Sequence, residues 1–202
     1  LELLMRLDFQ KSLRNRKELL KLTNGPLLKN EKNGLSAAAI KEGFFTRLLL
    51  MYAGGDFEGT LKELKRALTF IESSYSKLDF PEYHHAAVLS NLSARQMETG
   101  RFKEAIVNIE KHKNVPSRSI TARDYTFIFS HINLTNYYLA TGEFEKGIIA
   151  IRDMEEQINK FKSLIHHHAI YVIYFNAAGI FFGAGHYERA LHWIRKITNA
   201  PA

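Results

Sequence analysis

Gly142-Glu143-Phe144-Glu145-Lys146-Gly147-Ile148-Ile149-Ala150-Ile151 is repeated in outline by three other stretches, which begin at Gly55, Gly100 and Gly185. Two residues after each glycine stands an aromatic ring (Phe57, Phe102, Phe144, Tyr187), and five after it a small residue (Thr60, Ala105, Gly147, Ala190). Aliphatic residues follow at six (Leu61, Ile106, Ile148, Leu191) and nine (Leu64, Ile109, Ile151, Ile194). The glycines are separated by 45, 42 and 43 residues, and aromatics make up only 12% of the chain, so four matches in one column mark a helical repeat array.

Each column has a mechanical reason. A glycine without Cβ can take the left-handed conformation that ends a helix, and Asp56 or Glu143 directly after it favours the start of the next helix. The stretch therefore reads as a helix-turn-helix corner. The small residue and the aliphatic residue four positions later share one face of the second helix, which lets two helices approach closely over an apolar stripe.

The 202 residues are 46% hydrophobic and 24% charged, enough to bury a core, and no segment has the eighteen or so apolar residues of a membrane span. With no cysteine, a disulfide framework, a thiolate metal site and a thiol nucleophile are all excluded, which suits a cytoplasmic location. The opening Leu1-Glu2-Leu3-Leu4-Met5-Arg6 has neither an initiator methionine nor the pattern of a signal peptide, so the chain reads as a fragment of a longer protein.

In chain order, leucines among basic residues over 3–23 fit an amphipathic helix stopped by Asn24-Gly25-Pro26, and a polar connection runs to Leu35. Residues 1–35 thus form an N-terminal helix and connection, and 36–202 form the array, with repeats at about 36–80, 81–116, 117–162 and 163–201. First helices are expected from Ser36 to Ala53, Pro81 to Thr99, Thr121 to Thr141 and Leu164 to Gly183, with Ser163 capping the last. Second helices are expected from Asp56 to Lys77, Arg101 to Asn114, Glu143 to Phe161 and His186 to Thr198. Pro26, Pro81, Pro116 and Pro201 all avoid helix interiors, as this register requires.

With these columns, and with prolines sixteen residues after Gly100 and Gly185, residues 36 to 201 resemble the tetratricopeptide-repeat (TPR) proteins and their near relatives. The interval is about ten residues longer than the tetratricopeptide's ~34, and Arg47 stands where the later first helices carry Leu92, Leu134 and Ala177. The resemblance implies an all-α right-handed solenoid of about four antiparallel helix pairs. It also implies a concave groove, lined by the first helices, that receives a protein or extended peptide. Nine residues before the glycines stand Thr46, Asn91, Asn133 and Asn176, with Asn136 one turn beyond Asn133. Side-chain amides in file can hydrogen-bond a peptide backbone without reading its sequence, or can tie one repeat to the next. The same face would present Phe45, Leu49, Tyr52, Met97, Phe129, Ile132, Leu139, Phe175 and Phe182, with Glu42 and Glu98 as its main charges. The expected partner-binding residues are Asn91, Asn133, Asn136, Asn176, Tyr52, Phe129, Phe175 and Phe182. The cations of the chaperone-binding carboxylate clamp are missing, since Phe45, Phe129 and Asn133 stand in their places.

A net charge of +7 raises nucleic-acid binding as the competing function, but the Lys and Arg residues sit on the N-terminal segment and on second helices among acidic neighbours. Catalysis, cofactor and metal have no motif. His166, His167 and His168 are consecutive and diverge on a helix, while His84, His85, His186 and His192 lack a partner at i+4 and read as surface or corner residues. Asn91-Leu92-Ser93 and Asn133-Leu134-Thr135 match the glycosylation pattern but fall inside expected helices. A third reading is a dimerisation domain. The last helix carries Leu191, Trp193, Ile194 and Ile197, more apolar surface than one partner helix needs, so this face is expected to be covered by a further repeat or by a second copy in a homodimer.

Overall fold

The computed structural model describes residues 36–116, 120–161 and 167–198. The expected N-terminal helix, the Ser163 cap, the histidines at 166–168 and residues 199–201 lie outside the described residues and side chains. Among the described residues the structure holds eight α-helices and no strand. They are α1 (Ala37–Ala53), α2 (Phe57–Ser73), α3 (Pro81–Glu98), α4 (Phe102–Lys113), α5 (Ile120–Thr141), α6 (Phe144–Phe161), α7 (His167–Gly183) and α8 (Tyr187–Thr198). Consecutive helices pack as hairpins, and each hairpin leans on the next to make an α-solenoid. None of the described helices is long and apolar enough to cross a membrane.

The four corners are built alike. Gly55, Gly100, Gly142 and Gly185 have φ of 69°, 73°, 74° and 79°, the left-handed region that costs a residue with a Cβ about 1 kcal/mol or more. The N–H of the following residue then bonds back to the carbonyl four residues before the glycine: Asp56 to Met51 (3.1 Å), Arg101 to Gln96 (2.7 Å), Glu143 to Tyr138 (3.0 Å) and His186 to Phe181 (2.8 Å). This is the Schellman closure, which satisfies carbonyls that the helix end leaves open. Asp56 also caps α2, accepting from Gly59 N at 2.9 Å.

One boundary differs from expectation. The second helix of the first pair stops at Ser73, and residues Tyr75–Lys77 form a 3₁₀ turn. The Ser73 hydroxyl and the Ser74 N–H both bond to the Phe70 carbonyl, so the serines compete with the helix ladder at its end. Pro81 then opens α3, preceded by Phe80 at φ 51°.

Between hairpins, the stripes of each second helix are buried by the first helix of the next pair. Leu61 and Leu64 pack with Val88 and Leu92 of α3, Ile109 with Leu134 of α5, and Ile148 and Ile151 with Ile173, Ala177 and Ile180 of α7. The small column permits the close approach within this stack. A Cβ at Gly147 would lie 2.8 Å from Ile180 Cδ1.

The misfit at Arg47 has its own solution. Its guanidinium is buried and ion-paired with Glu63 on α2, which also holds Arg66 at 3.2 Å. Burial, with Arg66 adding repulsion, lowers the Arg47 guanidinium to about 10. The first pair thus uses charge where the third pair uses Leu134 and Ala150.

Candidate functional site

The asparagine column divides into two kinds of residue. Asn133 on α5 is buried, and its amide donates to the Ser90 carbonyl (3.0 Å), Ser90 Oγ (3.1 Å) and Ser93 Oγ (3.1 Å) on α3. Asn176 on α7 repeats the arrangement one pair later, donating to Thr135 Oγ1 (3.0 Å) and the Ile132 carbonyl (3.4 Å) on α5. Of the two uses the sequence leaves open, these two side chains take the structural one. They tie first helix to first helix and do not line an open groove.

Asn91 differs for a reason visible one repeat upstream. The position that supplies Ser93 and Thr135 is Leu48 in α1, which has no hydroxyl to accept the amide. Asn91 instead donates to the Ala87 carbonyl of its own helix at 2.8 Å and stays exposed. There α1 makes little direct contact with α3, whereas α3 with α5 and α5 with α7 pack closely. The gap is a cavity of about 300 Å³ lined by Phe45, Leu48, Leu49, Tyr52, Asn91 and Arg95, with Thr60 and Leu64 as its floor on α2. It is bridged at its two ends. Lys41 Nζ donates to His84 Nε2 at 3.1 Å beside the Phe45 ring, and the Arg95 guanidinium lies 4.3 Å from the Tyr52 ring centre.

This seam gathers Tyr52 and Asn91 from the expected set, together with Phe45 and Leu49. Arg95 belongs to none of the repeat columns, although it stands one helical turn after Asn91 and so on the same face, which is the signal that could have found it. It also pairs with Glu98, whose carboxyl is pushed up by burial. The remaining expected residues lie elsewhere. Ile132 is core, and Phe129 and Leu139 are half-buried against the α5–α8 cluster, where the next hairpin packs on α5. Asn136 is half-buried on α5, while Phe175 and Phe182 are exposed on α7, remote in sequence from the seam. The Glu42 side chain is outside those described.

Three ion pairs of the second helices and their corners join neighbouring hairpins. Lys65 bonds Glu104 at 3.0 Å, Arg101 bonds Glu58 at 2.8 Å, and Lys196 bonds Glu155 at 3.0 Å, each linking successive hairpins. Among the histidines, His186 and His192 are exposed as surface residues, but His84 and His85 are half-buried, and His112 and His131 are core. Burial, with repulsion from His85 and His131, drives the His112 imidazole down to about 4. Among the described residues no three His, Asp or Glu side chains come together as metal ligands.

No family model matches the sequence, and no curated protein matches it. The structure, however, superposes on a crystal structure of nearly identical TPR-like repeats attributed to a Podosopora anserina kinesin light chain, with a TM-score of 0.63 at 13% identity. That match covers 94% of this chain and 90% of the other. A crystal structure of a single-substitution variant of the same protein gives 0.65 at 14% identity over 94% and 89%. The fold is a TPR-like helical repeat array. In such an array the α1–α3 seam lies on the side lined by first helices, and Asn133 and Asn176 belong to the frame that holds those helices in step.

Proposed function

We propose that this TPR-like array is a non-catalytic scaffold module that binds an extended segment of a partner protein in the seam between α1 and α3. The observation that carries the reading is that this seam stays open where the next two are closed by asparagine bridges. At about 300 Å³ it sits at the small end of ligand pockets, roughly 300–1,000 Å³, and suits one or two apolar side chains of a longer peptide. Phe45, Leu48 and Leu49 supply the apolar walls, Asn91 a backbone-pairing amide, and Arg95 a cation for a carboxylate or aromatic side chain. The amide and the guanidinium give orientation, and the apolar surface gives affinity.

The nucleic-acid reading has less support, because three of the cations that could meet phosphate, Lys65, Arg101 and Lys196, are engaged by carboxylates of neighbouring hairpins. A random peptide library selected on the immobilised chain tests the proposal. The selected peptides should lose binding to Leu49→Asp and weaken on Asn91→Ala and Arg95→Ala, with the melting temperature unchanged. Equal binding to all three variants would refute the assignment of the seam.

A further inference from the structure

The last hairpin ends in a face that the interior of the array explains. Phe175 occupies the column of Ser90 and Ile132, both covered by the next first helix, yet it is 67% exposed. Leu191 and Ile194 occupy the columns of Ile148 and Ile151, which are 4% and 1% exposed, yet they stand at 39% and 46%. Phe182 and Tyr187 complete the surface with their rings 5.5 Å apart, both about two-thirds exposed. Trp193, expected on this face, is buried instead against Tyr174, with the Lys196 ammonium over its ring. The uncovered surface is therefore the line Tyr187, Leu191, Ile194 and Thr198 along α8, flanked by the two phenylalanines of α7.

That line has the spacing of alternating d and a positions of a heptad, which is the seam along which two helices pack. In the same register Glu188 and Arg195, seven residues apart, both fall at e, on one edge of the line. Two α8 helices running parallel would set e against g. Running antiparallel about a two-fold axis, they set e against e, so Glu188 of each copy meets Arg195 of the other. Both residues are exposed. The apolar line and the charges at its edge are thus self-complementary in one orientation. We infer that the α7–α8 end face is a homodimer interface in which α8 pairs antiparallel with α8 of a second copy, over Tyr187, Leu191 and Ile194 and with two Glu188–Arg195 pairs at its edge.

The inference is independent of the peptide seam and uses none of its residues. Sedimentation equilibrium on the full chain over a range of concentrations is the test. The expected result is a dimer that Ile194→Asp converts to a monomer with unchanged melting temperature. Glu188→Arg and Arg195→Glu should each weaken the dimer about tenfold, because each change sets like charges together twice. The double variant carrying both reversals should recover it. A wild-type chain that remains monomeric, a dimer that survives Ile194→Asp, or charge reversals whose effects do not cancel would overturn the interface.

Discussion

The side chain of Asn133 reaches across from α5 to the Ser90 carbonyl on α3 at 3.0 Å, and Asn176 reaches from α7 to Thr135 on α5 at 3.0 Å. Both amides are buried, so removing either leaves buried acceptors of the preceding helix without their donor. Asn133→Ala and Asn176→Ala should each lower stability by roughly 1–3 kcal/mol in chemical denaturation. Asn91→Ala, at the exposed seam, should stay within about 0.5 kcal/mol of wild type. Equal losses at all three positions would contradict the division of the column.

The Arg47–Glu63 pair is buried, and Glu63 is shared with Arg66. Losing one partner strands the other charge, so Glu63→Ala alone should cost roughly 3–5 kcal/mol. Arg47→Leu together with Glu63→Ala recreates the Leu134 and Ala150 combination of the third pair, and most of the loss should be recovered. A double-mutant cycle read by urea denaturation measures the coupling.

Burial of His112 should contribute to the loss of stability on the acid side. Its imidazole is fully buried, with His85 on α3 and His131 on α5 repelling a proton there, and Glu72 lies 3.5 Å from His85. The folded-state value of about 4 lies below the 6.5 of the free side chain, so the unfolded chain takes up the proton first as pH falls. The stability is complete above pH 6.5 and is lost as pH drops towards 4, by up to roughly 3 kcal/mol for this group. His85, lowered chiefly by its own burial, acts in the same direction. His112→Leu should flatten the pH dependence of urea midpoints over this interval.

The repeat columns make the corners legible, because a left-handed glycine and a buried small residue are demands of local geometry. Gly142, Phe144 and Gly147 can be placed from their spacing alone. The asparagines cannot, since a buried bridge and an exposed rung use the same residue at the same register. What separates Asn133 from Asn91 is the acceptor on the preceding first helix, Ser93 for Asn133 but Leu48 for Asn91, and that residue lies about forty positions away in sequence. Phe175 and Phe182 are exposed on α7, and helical spacing alone does not separate a groove position from one on the end face of the array. Trp193 counts with Leu191, Ile194 and Ile197 towards the apolar excess of the last helix, but the helix turns the indole inward.

The most direct test of the scaffold reading is the affinity of library-selected peptides, measured by isothermal titration calorimetry, for wild type, Leu49→Asp and Phe175→Asp. A charged side chain in the seam should cost at least tenfold in affinity, about 1.4 kcal/mol, whereas Phe175→Asp on the end face should leave the affinity unchanged. Peptides that bind Leu49→Asp as tightly as wild type, or that are lost only with Phe175→Asp, would contradict a binding seam between α1 and α3.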